Sequence, residues 1–199
     1  HDLFKWWVPY SYADFFCAYG EAAKEELAKH RNSESTTFVV GNPSLDHVTQ
    51  PPSPTPSGRA PRTVLYVQQY IVNQHTEEAF CNELAGICCD ENGDRLLIKL
   101  HPRSDWTVPQ FLSRIVQTSR RTSLLEVVKE GDSNDMLGGV NVLITVNSTT
   151  AYHALVAGVP VITLDYLSKG FGRFDASRYG GAIAITNPDP SKLREAIIN

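Results

Sequence analysis

The sequence predicts an α/β domain with a doubly wound parallel sheet over residues 62–199, and three observations carry that prediction. Short runs that are apolar on both faces, such as Val140 to Val146 (VNVLITV) and Val161 to Leu164, recur along this stretch. Between them lie segments whose apolar residues follow helical spacing, so the period alternates regularly between strand and helix. Parallel strands must be joined by crossovers, and helices that return over both faces explain why the strands have no polar side. The class is Rossmann-like, and in such sheets ligands sit beyond the carboxyl ends of the strands.

Taken in order, Ala13 to Tyr19 (ADFFCAY) reads as a buried strand broken by Gly20. Glu21 to His30 reads as a helix with Ala22, Ala23 and Leu27 on one face, and Thr36 to Val40 as a second strand. Gln50 to Pro61 then carries Pro51, Pro52, Pro54, Pro56 and Pro61 and almost nothing that could be buried. We therefore expect residues 1–46 to finish one domain, 47–61 to link, and 62–199 to form a second.

In that second part Thr63 to Tyr70 is a strand, and Thr76 offers an N-cap to a helix with Phe80, Leu84, Ile87 and Cys88 on one face, closed near Gly93. Arg95 to Leu100 is the next strand, followed by a helix opening at Pro109 with Phe111, Leu112, Ile115 and Val116 inward. Then come a strand over Thr122 to Val128, a short helix over Asn134 to Leu137, the Val140 to Val146 strand, a helix over Thr149 to Ala157 and the Val161 to Leu164 strand. A strand over Gly181 to Ile185 and a helix opened by Asp189 and Pro190, with Leu193, Ala196 and Ile197 inward, complete the pattern.

Composition narrows the function. A hydrophobic fraction of 42% is ample for a core, and a net charge of -4 with 18 scattered Lys and Arg residues offers no surface for tracking a polyphosphate. No nucleic-acid partner is expected. No apolar run reaches the roughly 18 residues needed to cross a bilayer. Cys17, Cys81, Cys88 and Cys89 form no Cys-x-x-Cys pair and read as packing residues or inert thiols of a reducing compartment, the cytosol. The chain opens on His1 without a signal-like segment, and it reads as a piece of a longer protein.

Three strand-to-helix loops carry unusual polarity. Asn147, Ser148, Thr149 and Thr150 pass from a buried strand straight into a helix. The N–H groups and positive dipole end of a helix start stabilise an anion, and hydroxyls beside it add donors. Simple N-capping by Ser148 is the plainer reading, although three hydroxyls exceed what a cap needs. The second loop, His101-Pro102-Arg103, presents an imidazole and a guanidinium at the same edge of the sheet. The third, Gln68-Gln69-Tyr70, supplies amides and a ring on which a base or sugar could rest.

Other constellations fail. There is no Gly-x-Gly-x-x-Gly fingerprint, no Gly-Lys-Ser/Thr phosphate loop and no Gly-x-Ser-x-Gly elbow. His75, His101 and His153 are too dispersed for a metal site, and Asp132 with Asp135 reads as the capping of an exposed short helix before it reads as an acid pair for a cation.

The run DMLGGVNVLITVNSTTAYHALVAGVPVITLD, with IKLHPR and TVLYVQQY before it, resembles the C-terminal, donor-binding half of a two-domain glycosyltransferase of the GT-B fold. Bacterial surface-polysaccharide and capsule enzymes are the most similar: Kdo transferases, polysialyltransferase-like proteins and the CDP-glycerol polymerases of teichoic acid synthesis. ADFFCAYGEAAKEEL and TTFVVGNPSLD likewise resemble the end of the N-terminal domain of such an enzyme.

The resemblance implies that His101 and Pro102, with the helix start of Ser148, Thr149 and Thr150, bind the donor phosphate; the loops themselves make Arg103 and Asn147 further candidates for the phosphate, and Gln68, Gln69 and Tyr70, with His153, candidates for the base or sugar. It implies no metal and no other cofactor. His153 stands where many users of UDP or ADP sugars carry a ribose-binding glutamate, which favours a CMP-linked donor. The general base belongs to the missing N-terminal region, so binding without turnover is expected of this piece. A carbohydrate or lipid-linked acceptor is implied, and a cytoplasmic parent at the inner face of a membrane and self-pairing of the piece are both compatible with it. A nonhydrolysing UDP-GlcNAc 2-epimerase and a non-catalytic nucleotide-binding module are the alternatives.

Overall fold

The computed structural model describes residues 14–30, 36–48, 61–70, 72–115, 121–168, 177 and 180–198, and these fall into two units. The smaller holds β1 (Phe15–Ala18), α1 (Glu21–His30) and β2 (Thr36–Val39), with the strands parallel and Phe15 opposite Thr36. Ala18 and Leu27 form its buried centre, and Phe15, Tyr19 and Phe38 stay exposed. β1 was expected to be buried. Only Ala18 is, because among the described residues one helix covers the pair of strands and protects a single face.

In the larger unit the elements are β3 (Thr63–Val67), α2 (Gln74–Ala85), β4 (Arg95–Lys99), α3 (Val108–Ile115), β5 (Leu125–Val128), β6 (Val142–Thr145), α4 (Thr150–Val156), β7 (Val161–Leu164), β8 (Ile183–Ile185) and α5 (Pro190–Ile198). All strand pairs are parallel and their order is β5-β4-β3-β6-β7-β8. The chain steps outward from β3 to β5, then returns to lay β6 on the other side of β3. That reversal makes the β3–β6 boundary the topological switch point of a doubly wound Rossmann-like sheet. Val67 lies opposite both Lys99 and Thr145, so β3, β4 and β6 end level with one another.

The core is what the helical spacing selects. Phe80, Leu84, Ile87 and Cys88 from α2 and its continuation, Phe111 and Ile115 from α3, and Leu193 and Ile197 from α5 are all buried against the sheet. Each such side chain contributes about 2 kcal/mol by leaving water. Leu112 and Ala196 pack on the core from its margin, and Val116 and the Pro-rich stretch up to residue 60 lie outside the described residues. Burial pushes the thiols of Cys81 and Cys88 up from their ordinary value, which keeps them protonated and unreactive.

Several boundaries differ from the sequence expectation. Helix α2 is capped by Asn73, whose Oδ1 accepts the N–H groups of His75 and Thr76, so it opens a turn's length before Thr76 would have started it. Beyond Ala85 it widens into a π-turn over Gly86–Asn92 and closes at Gly93, whose φ of 72° favours glycine. Thr122–Leu124 forms a 3-10 turn instead of the first half of a strand, which begins only where Leu125 pairs with Leu96. Among the described residues, no helix is long and apolar enough to cross a membrane.

Candidate functional site

The level ends of β4, β3 and β6 place three polar loops side by side along one edge of the sheet, flanking the switch point. Thr145, fully buried, donates from Oγ1 to the Val67 carbonyl at 3.1 Å and ties the two central strands together where they end. The boundary that a ligand would straddle is therefore fixed.

The loop after β4 is the most organised. His101 Nδ1 accepts the Arg103 N–H at 3.0 Å, so a neutral imidazole carries its proton on Nε2, free to donate outward. Partial burial, and then the positive charges of Arg103 and Lys99, hold the imidazole below its ordinary titration range, favouring the neutral form. The Tyr70 ring lies 4.8 Å from the His101 ring, and the Arg103 guanidinium carbon is 5.8 Å from the Tyr70 centroid. Tyr70, His101 and Arg103 thus form one stacked cluster. Tyr70 and Arg103 remain exposed, while Lys99 is buried beneath with its Nζ donating to the carbonyls of Leu100 and Lys129.

The loop after β3 splits its duties. Gln69 is half-buried and Tyr70 exposed, but Gln68 is almost wholly buried. The Gln68 Oε1 accepts the His101 N–H at 2.8 Å, and its Nε2 donates to Glu77 Oε2 at 2.6 Å. Expected to line the base or sugar, Gln68 is occupied in bracing the neighbouring loop.

The loop after β6 is also divided. Ser148 is buried and its Oγ accepts the Thr150 N–H at 3.2 Å, which is the capping role the plainer sequence reading gave it. Thr150 is buried too, sharing a 2.6 Å hydrogen bond with Ser133 from the loop after β5. Thr149 is exposed and Asn147 half-buried, and no hydrogen bond among the described residues engages either side chain. His153 sits half-buried one turn into α4, a helix of seven residues. Asp132 caps its own loop by accepting the Asn134 N–H at 2.8 Å.

Two residues escaped the sequence reading. Glu77 is fully buried, accepting from Tyr66 Oη at 2.8 Å as well as from Gln68; burial raises its carboxyl to about 7, partly offset by those two hydrogen bonds. Its signal was a charged residue heading an apolar stripe, since Glu77, Phe80, Cys81 and Leu84 share one helical face. Ser133 gave no signal, because only the fold brings it to Thr150. An open depression of about 570 Å³ lies further along, lined by Thr107, Val108, Val128, Lys129 and Glu130. It contains none of the candidate residues, and its apolar, shallow lining offers fewer convergent donors than the Tyr70–His101–Arg103 cluster.

No family model matches the chain. No curated protein matches it either. Solved structures do. A putative UDP-N-acetylglucosamine 2-epimerase from Listeria monocytogenes superposes with a TM-score of 0.64 at 18% identity, over 94% of this chain and 50% of that one. The Methanocaldococcus jannaschii UDP-GlcNAc 2-epimerase, in complex with UDP-GlcNAc and UDP, gives 0.60 at 16% identity over 94% and 54%. The pneumococcal O-GlcNAc transferase GtfA, in complex with UDP and GlcNAc, gives 0.53 at 14% over 92% and 37%. The chain spans about half the length, or less, of these neighbours. Identities this low speak for architecture alone, and the architecture they share with this chain is the Rossmann-like GT-B fold.

Proposed function

We propose that this chain is the nucleotide-sugar-binding half of a GT-B enzyme, a glycosyltransferase in its full-length form. The observation that carries the reading is the stacked Tyr70–His101–Arg103 cluster at the carboxyl ends of β3 and β4, on the same edge of the sheet where the loop after β6 leaves the side chains of Asn147 and Thr149 uncommitted. Neighbouring structures that hold UDP on the same architecture support it. As the bond from sugar to phosphate breaks, negative charge grows on the leaving nucleotide. His101 Nε2–H, Arg103 and Thr149 donate to it from fixed positions, which lowers the barrier without reorganisation and without a divalent cation. Ser148 and Thr150 act behind them by holding the corner in shape. The acceptor hydroxyl gives its proton to a base outside this chain, so the chain binds and does not turn over.

The exposed Phe15, Tyr19 and Phe38 of the small unit suit the end of an N-terminal domain whose remainder would cover them. A role in bacterial surface or capsular polysaccharide synthesis is the finer form of the proposal, with a carbohydrate or lipid-linked acceptor. His153 in place of a ribose-binding acid favours a CMP-linked donor, against the UDP held by several neighbours. Calorimetric titration of the chain with CMP, CDP, UDP and GDP decides between them: a preference names the nucleotide, and comparable failure of all four removes the reading.

A second reading has its own support, since the Listeria and Methanocaldococcus epimerase structures superpose with TM-scores of 0.64 and 0.60 against 0.53 for the pneumococcal transferase. Product analysis of the full-length parent separates an epimer from a glycoside.

A further inference from the structure

We propose that Glu77 is a positioning residue for the nucleotide site, holding the His101 loop through Gln68; this rests on the proposed function for its consequence, though not for its geometry. The His101 backbone N–H can only donate, so Gln68 must turn Oε1 toward it and Nε2 toward Glu77. The orientation of the amide is thereby fixed from both ends. A carboxylate makes the Gln68 bond charge-assisted and polarises the amide, strengthening its grip on His101. A protonated Glu77 can still accept from Gln68 Nε2 through its carbonyl oxygen, with its O–H turned to Tyr66 Oη, so the arrangement survives but the charge assistance and its grip on His101 are lost.

The placement of this acid is costly on any other account. It heads the apolar stripe of α2 above Phe80 and Leu84, where an apolar side chain would pack, and no ion pair reaches it among the described residues. The titratable groups around it are Tyr66 from β3, which donates to it, and Cys81 one turn along α2; Tyr166, after β7, acts on Tyr66 and is itself raised by burial, Glu83 and Cys81. None is a cation, and burial accordingly lifts the Glu77 carboxyl to about 7, where a change of charge falls within the working range of most cells. His101 lies on the far side of Gln68 and titrates lower.

The test compares the 199-residue chain with Glu77→Gln, which keeps volume and hydrogen bonding to Gln68 and Tyr66 but cannot ionise. In the ligand-free protein the His101 backbone amide resonance should move with a midpoint near 7, and Glu77→Gln should abolish that step while leaving the His101 ring titration in place. With UDP as probe, affinity should rise about fivefold from about pH 6 to about pH 8 in the wild type, and Glu77→Gln should bind about fivefold more weakly at the upper end while melting no lower. A purely structural Glu77 would lower the melting temperature and leave UDP affinity alone, which overturns the proposal. An amide resonance that ignores Glu77 overturns it as well. If the wild type fails to bind UDP, the titration with CMP, CDP and GDP judges the donor-site reading, and the amide measurement alone decides this one.

Discussion

The carboxyl ends of β4 and β6 flank the same central strand and both carry polar side chains, yet they spend them differently. After β4, backbone groups and a buried amide do the bracing, so the imidazole of His101 and the guanidinium of Arg103 are left to face outward. After β6, two of three hydroxyls are consumed within the protein: Ser148 caps the helix, and Thr150 is bound to Ser133. A count of hydroxyls therefore overstates the donors at the second corner, and the anion is expected to lean on the first.

The largest effect should come from removing the brace. Gln68→Leu takes the acceptor from the part-buried His101 N–H and one of its two donors from the buried Glu77, leaving Glu77 only Tyr66, and should cost about 4 kcal/mol in urea unfolding. Retention of full stability would show that the two loops do not depend on this amide.

Next in size is a pH effect from the same brace. The folded protein holds the Glu77 proton more tightly than the unfolded chain, with the carboxyl raised from 4.5 to about 7. The stability this confers is fully present below the unfolded value and lost as the pH rises through about 7, a loss of about 3 kcal/mol. Subtracting the profile of Glu77→Gln isolates it, and the variant should be the more stable protein at about pH 8. Parallel profiles would mean that Glu77 titrates as an ordinary exposed acid.

The comparison is sharpened directly by affinity. Arg103→Ala should weaken nucleotide binding about tenfold and reduce its salt dependence, whereas Thr149→Ala should cost about threefold. The opposite ranking would return the anion to the hydroxyl corner. Smallest is Thr150→Val, expected to lose about 1 kcal/mol of stability with the Ser133 bond and to weaken nucleotide binding less than Thr149→Ala does.

The same contrast explains what could be read from the residues alone. Buried strands were legible because Val142 to Thr145 and Val161 to Leu164 are apolar on both faces, a pattern that parallel sheets impose and few other structures tolerate. Loops at the ligand edge were legible because the carboxyl-end rule follows from topology, which the strand and helix order implies. What each loop residue does there was not, since commitment depends on partners far away in sequence: Thr150 on Ser133, Gln68 on Glu77 and His101. Asn73 and Thr76 are both sound caps, and local sequence does not choose between them.

The most direct measurement is an NMR titration of the isotope-labelled chain with UDP, following the rings of His101 and Tyr70 and the amides of Asn147 and Thr149. A nucleotide seated at the switch point shifts all four together, with the His101 ring moving most. Shifts confined to the depression around Thr107 and Glu130, with the His101 ring unmoved, would contradict the account.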